Sequence, residues 1–171
     1  MSDQPVRTPE SEVIIRFPDC DPFNHLTNSR YLDYFSNARE DHLMTYYKFN
    51  PFQLVQEQGL GWVAVQNQIA YRRPALPLEI VVIDSTLLQW GPKNLRVEMR
   101  MWDRTKQQLK SLLWMTLVHY NLRTQKSEVH NQTLGALFAS IENPLPYPVT
   151  FEERLEQLAS PSVDQLAQPS S

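Results

Sequence analysis

The chain has 171 residues, 16 of them basic and 19 acidic, for a formal net charge of −3 at neutral pH. That length suits one domain with a substantial core, and the slightly acidic balance without a long basic run argues against nucleic acid or an anionic membrane as the main partner. Cys20 is the one cysteine, which excludes an intrachain disulfide framework; no stretch approaches the roughly 20 apolar residues of a membrane span, and the start has no basic region leading into an apolar run. A reducing cytoplasm is the expected setting.

Residues 1–10 are polar and contain proline, and are expected to be flexible. Val13 to Phe17 is a strand candidate that runs into Asp19-Cys20-Asp21-Pro22-Phe23-Asn24-His25, a turn-rich segment. Asn28 or Ser29 is a cap candidate for the helix expected over residues 30–47, where Tyr31, Leu32, Phe35, Ala38, Leu43 and Tyr46 recur at helical spacing. Asn50-Pro51 stops that helix, and Phe52 to Gln58 adds a short one ending at Gly59.

From Trp62 the period changes to two. Val63, Val65, Ile69 and Tyr71 share one parity up to Arg72-Arg73-Pro74, and Ile80 to Trp90 forms the next strand. After the turn Gly91-Pro92-Lys93-Asn94, Leu95, Val97, Met99 and Met101 alternate with Arg96, Glu98, Arg100 and Trp102, which predicts a strand with one wet face. Leu109 to Leu122 is apolar on both parities, as expected of a central strand buried on two sides. Thr150 and Glu153 have the spacing of a capping box, so a last helix of about two turns should follow the proline-rich 144–148 linker. The expected organisation is a globular domain over 11–142, a helical extension over 143–159 and a disordered tail over 160–171. An antiparallel sheet with one principal helix on its apolar face is an α+β architecture.

The segment from Asp19 to Phe35 sets two acids and a turn directly before a helix start, whose free N–H groups can bind an anion. An acid beside an anion hole is an active-site layout. Its wording, with Asp19-Cys20-Asp21, Asn24-His25, Asn28, Tyr31-Leu32-Asp33-Tyr34-Phe35 and Ala38-Arg39, resembles the Asp-x-Asp, Gly-His-Val-Asn-Asn and Tyr-Leu-x-Tyr-Phe…Ala-Arg signature of the 4-hydroxybenzoyl-CoA thioesterase-like hotdog proteins. The chain departs from that signature at Asn24, commonly Gly, and at Leu26-Thr27, commonly Val-Asn. Asn tolerates positive φ better than most residues, so the turn can persist.

The resemblance implies a hotdog fold of about five strands wrapped around one long helix, acyl-CoA as substrate, no cofactor, and a homodimer or homotetramer. It assigns Asp21, the second acid of the pair, as general base or nucleophile. It places His25 near the thioester and the backbone N–H of Asn28 as the oxyanion donor. Thioester hydrolysis needs little else, because a thiolate whose conjugate acid has a pKa of roughly 8.5 leaves without a strong general acid.

Each residue also has a plainer role: Asp21 as a turn residue before Pro22, His25 as a structural hydrogen-bonder, Asn28 as an N-cap. Arg72 and Arg73 could reach CoA phosphates, or stand as a solvated strand end. Arg39 is read as structural. Cys20 is a poor nucleophile between two acids and is read as a small buried spacer. His25, His42, His119 and His130 are scattered without ligand spacing, so no metal is expected. Two rival functions are a hotdog acyl-CoA hydratase, whose Asp-x-Asn-Pro-Leu-His dyad resembles residues 21–25 with the spacing off by one, and an acyl-CoA-binding module without turnover.

Overall fold

The computed structural model describes residues 4–160. Residues 1–3 and 161–171, the latter most of the expected disordered tail, lie outside the described residues. The elements run β1 (Glu10–Ile14), α1 (Tyr31–Tyr47), α2 (Pro51–Gln58), β2 (Leu60–Tyr71), β3 (Ile80–Trp90), β4 (Asn94–Asp103), β5 (Leu109–Asn121), β6 (Lys126–Ser127), α3 (Gln132–Ile141) and α4 (Phe151–Ala159). The strands form one antiparallel sheet in the order β1-β3-β4-β5-β2, with the two-residue β6 paired to β5. Five main strands, four of them long, and one long helix are the expected hotdog content. β5 is interior, as its sequence predicts, but β4 holds the middle position.

β1 is set back from its expected range. Pro18 lacks a donor and fixes φ, so Phe17–Asp19 turns as a short 3-10 segment and the ladder ends at Ile14. Ahead of β1, Tyr47 Oη donates to Val6 O at 2.6 Å and Ser85 N donates to Pro9 O at 3.1 Å, which ties the leading segment to the body.

Helix α1 buries Tyr31, Tyr34, Phe35, Ala38 and His42, a stripe at helical spacing that packs on β1 and β3. Opposite it stand Ile83, Leu87, Val97, Met99, Met101 and Leu113 from the concave face of the sheet. Lys48 ends the helix in the left-handed region at φ 53°, and Asn50 caps α2 by accepting from Gln53 N at 3.1 Å.

The other face of β4 is wet at Arg96 but covered further along the strand. Glu98 is 2% exposed and Trp102 9%, because α4 folds back over that face and seats Phe151 edge-on against Trp114. Two charges are buried with it in paired form. Asp84 takes two hydrogen bonds from Arg100, at 2.7 and 2.9 Å, and Glu98 takes two from Arg154 on α4, at 2.9 and 2.8 Å. The capping box that starts α4 is present in both directions, Glu153 N to Thr150 Oγ1 and Thr150 N to Glu153 Oε2.

Helix α3 has no counterpart among the sequence expectations. Its signal was legible: Asn131 accepts from Leu134 N at 2.9 Å as N-cap, and Leu134, Phe138 and Ile141 make a buried helical stripe.

Candidate active site

The loop between β1 and α1 is a small hairpin. Cys20 and Leu26 form an isolated antiparallel bridge, Asp21 N donates to His25 O at 2.8 Å, and Asn24 N donates to Asp21 O at 3.0 Å. Asn24 turns the chain at φ 58°, the conformation that the family's usual Gly would supply and that Asn tolerates. Asp21 Oδ1 accepts from the N–H groups of Phe23, at 2.9 Å, and His25, at 3.2 Å. That Asx-type turn holds one carboxylate oxygen and leaves Oδ2 free of protein donors among the described residues.

The two acids of the pair have separate roles. Asp19 Oδ2 accepts from Tyr34 Oη at 2.7 Å, and its carbonyl accepts from Thr27 N at 3.0 Å, so Asp19 fastens the loop to α1. Cys20 between them is partly exposed rather than buried; what burial it has, followed by Asp19 and Asp21, raises its thiol pKa and keeps it protonated.

Asn28 does not cap α1. Asn28–Arg30 is a 3-10 turn running directly into the helix, whose first residue is Tyr31, and neither Thr27 nor Arg30 makes a side-chain cap. The expectation of an Asn28 or Ser29 cap fails because the chain is already turning at Asn28. The N–H groups that open such a turn have no acceptor within it.

Leu26 N donates to Ala75 O at 2.8 Å, Ala75 N donates to Tyr31 Oη at 3.2 Å, and Tyr71 Oη donates to Asn28 O at 3.1 Å. These contacts draw the segment after β2 against the hairpin. One cleft of about 210 Å3 results, lined by Asp21, His25, Leu26, Asn28, Tyr31, Tyr71, Arg72, Arg73 and Pro74. All five candidate residues, Asp21, His25, Asn28, Arg72 and Arg73, meet there although the two arginines lie some 45 positions downstream. Arg72 also stands 3.6 Å from Glu156 of α4. The sequence reading did not single out Tyr71. Its ring meets Tyr31 edge-on at 4.9 Å, and burial raises the pKa of both phenols, so both stay neutral.

A carboxylate with a free oxygen, a helix start and two cations around one opening suit an anionic substrate with an electrophilic carbonyl. The family model for the thioesterase-like superfamily matches residues 15–153. The chain belongs to the thioesterase-like superfamily. Membership makes it an enzyme of thioester hydrolysis and its fold a hotdog. This thioesterase-like chain is 28% identical over 118 residues to the long-chain acyl-CoA thioesterase FadM of Escherichia coli, covering 69% of its own length and 87% of the relative's. Among solved structures it is similar to the probable thioesterase YbaW of Escherichia coli, with a TM-score of 0.64, 26% identity and coverage of 88% and 98% of the two chains. It shares its fold with the Staphylococcus aureus protein SAV2348, solved in complex with CoA, at a TM-score of 0.74 and 10% identity over 100% and 99% of the two chains. No helix among the described residues is long and apolar enough to cross a membrane.

Proposed function

We propose that the protein is an acyl-CoA thioesterase whose reaction takes place in the Asp21 cleft. The observation that carries this reading is the convergence of Asp21, His25, Asn28, Arg72 and Arg73 on one opening. Asp21 Oδ2 either takes a proton from the attacking water or attacks the thioester itself. As the carbonyl oxygen becomes negative, the N–H of Asn28 donates to it, and CoA leaves as thiolate. Arg72 and Arg73 face the CoA phosphates, and His25 lies beside the thioester. The chemistry attributed to FadM and the CoA bound by SAV2348 support CoA as the thiol carrier.

The two sheet edges differ in a way that supports a homo-oligomer. β1 is five residues long and carries Glu10 and Glu12, whereas β2 offers twelve residues with no charge and no proline. Val63 and Val65 are exposed on it. An edge of that length and composition calls for a partner strand, and a second copy can supply it about a two-fold axis.

Thiol release across short, long and aromatic acyl-CoAs, with identification of the free acid, tests the reading. Hydrolysis in the parent and its loss in Asp21→Asn support it. Thioesters left intact by the parent overturn it, whether they are hydrated or merely bound.

A further inference from the structure

The run Arg72-Arg73-Pro74 along the cleft is held at both ends by one residue of β5, Lys110. Its carbonyl accepts from Arg72 N at 2.8 Å and from Arg73 N at 3.3 Å, and its ammonium donates to Pro74 O at 2.9 Å. The same ammonium pairs with Glu79 Oε1 at 2.7 Å, and the other oxygen of Glu79 accepts from Leu76 N at 2.8 Å. One lysine thus fastens the chain between β2 and β3 on both sides of its turn.

Two local features produce this arrangement. Where β4 pairs with β5, Met101 faces Ser111 and Trp102 faces Leu109, so Lys110 is the extra residue of a β-bulge. A bulge re-aims a side chain out of the alternation of its strand, and Lys110 reaches Pro74 and Glu79 from there. Pro74 in turn restricts Arg73 to extended backbone, so a run anchored at Arg72 N and at Pro74 O has little freedom in between. Lys110 is itself 5% exposed, does not line the cleft and has its charge met by Glu79, so it is no phosphate ligand. A buried lysine must be desolvated and paired, which an apolar side chain of equal length would avoid. What the ammonium adds is a fixed carbonyl directly after Arg73. Ala75, one residue on, is tied to the Asp21 hairpin by Leu26 N and Tyr31 Oη, contacts in which Lys110 has no part. The arginine run and the hairpin therefore have separate supports.

We infer that Lys110 is a positioning residue for the recognition of CoA, holding the backbone of Arg72 and Arg73 so that both guanidinium groups meet the phosphates. The inference rests on the acyl-CoA thioesterase reading and deepens it. Long exposed side chains lose freedom when they bind, and a backbone fixed beforehand lowers that cost. Charge-assisted contacts with phosphate also depend on direction, which a shifted backbone would spoil.

Steady-state kinetics of the full chain with decanoyl-CoA and with S-decanoyl-N-acetylcysteamine test the inference, since the two share a thioester and only the first carries phosphates. The parent should show a KM for decanoyl-CoA about tenfold or more lower, the margin of charge-assisted phosphate contacts. Lys110→Met keeps an unbranched chain and removes the ammonium. It should raise KM for decanoyl-CoA about tenfold while kcat on both esters, and KM for the phosphate-free ester, stay within about twofold. A merely structural role would instead depress turnover of both esters alike. In an Arg72→Gln, Arg73→Gln background, Lys110→Met should add nothing to KM, because nothing is left to position. Should Lys110→Met fail to fold, Glu79→Gln breaks the ion pair, keeps an acceptor for Leu76 N and should show the same split. A parental preference for the CoA ester that survives in the variant, an equal loss on both esters, or an effect additive with the arginine variants overturns the inference and leaves the thioesterase reading intact. A parent that hydrolyses both esters with equal KM overturns the inference together with the phosphate role of the two arginines. A parent that hydrolyses neither overturns the thioesterase reading and the inference with it.

Discussion

Tyr71, the last residue of β2, donates its hydroxyl to the carbonyl of Asn28 at 3.1 Å and so fixes the helix start to the sheet across the mouth of the cleft. Its ring also packs on Tyr31, which in turn accepts from Ala75 N. Tyr71→Phe keeps the packing and removes the anchor. The expected cost is about 1 kcal/mol of stability, with a fall in kcat larger than the change in KM, because Asn28 is the proposed oxyanion donor. Steady-state kinetics beside a melting curve check it; an unchanged kcat separates this anchor from turnover.

Asp21→Asn should retain the fold, since the amide oxygen can still accept from Phe23 and His25 N–H. Hydrolysis should drop by about a hundredfold or more, because a neutral amide neither takes a proton from water nor attacks. Cys20→Ala should have little effect. Loss of activity in the Cys20 variant with retention in the Asp21 variant would invert the assignment.

Two substitutions at Asn28 separate backbone from side chain. Its side chain caps nothing, so Asn28→Ala should be nearly neutral in stability and turnover. Pro is sterically admissible, because Thr27 ahead of it sits at φ −61° and ψ 133°, the extended conformation that precedes proline. Asn28→Pro should therefore fold and lose roughly 10² to 10³ in kcat, the loss typical of a missing oxyanion donor. A stable Pro variant with parental turnover would eliminate this N–H.

His42 makes stability pH-dependent. Burial, then the nearby Arg39 charge, lowers its pKa from 6.5 to about 4, so the unfolded chain binds the proton more readily than the folded one. The stabilisation is complete above about pH 6.5 and is lost as pH falls toward 4, a loss of about 3 kcal/mol by linkage. His130, also lowered chiefly by burial, contributes in the same direction. Urea midpoints at pH 7 and pH 5 should show the slope, and His42→Gln should flatten it without abolishing it.

Arg154 is expected to hold α4 on the sheet through Glu98. Arg154→Ala strands a carboxylate that is 2% exposed, leaving it Trp114 Nε1 at 2.9 Å and Arg100 at 4.0 Å. The expected loss is about 3 kcal/mol, read as a fall in Tm, and the double variant Glu98→Gln, Arg154→Met should recover much of it.

Local chemistry carried far in this protein. The strand Ile80–Trp90, the stop at Gly59 and the capping box at Thr150 all stand where residue type and spacing put them, because periodicity and caps act within a few residues. The motif also picked out Asp21, His25 and Asn28, and residue chemistry Arg72 and Arg73, five residues that share one cleft. What bound them into a cleft was long-range: Leu26 against Ala75 and Tyr71 against Asn28 are contacts about 45 residues apart, invisible to any local pattern. Tertiary structure likewise decided the outer face of β4. Arg96, Glu98, Arg100 and Trp102 alternate as a solvated face should, yet Glu98 and Trp102 are buried and Arg100 partly so, because α4 returns to the sheet and supplies Arg154 as partner and Phe151 as cover. Alternation states which side chains share a face; only the path of the remote chain decides whether water or protein lies against it.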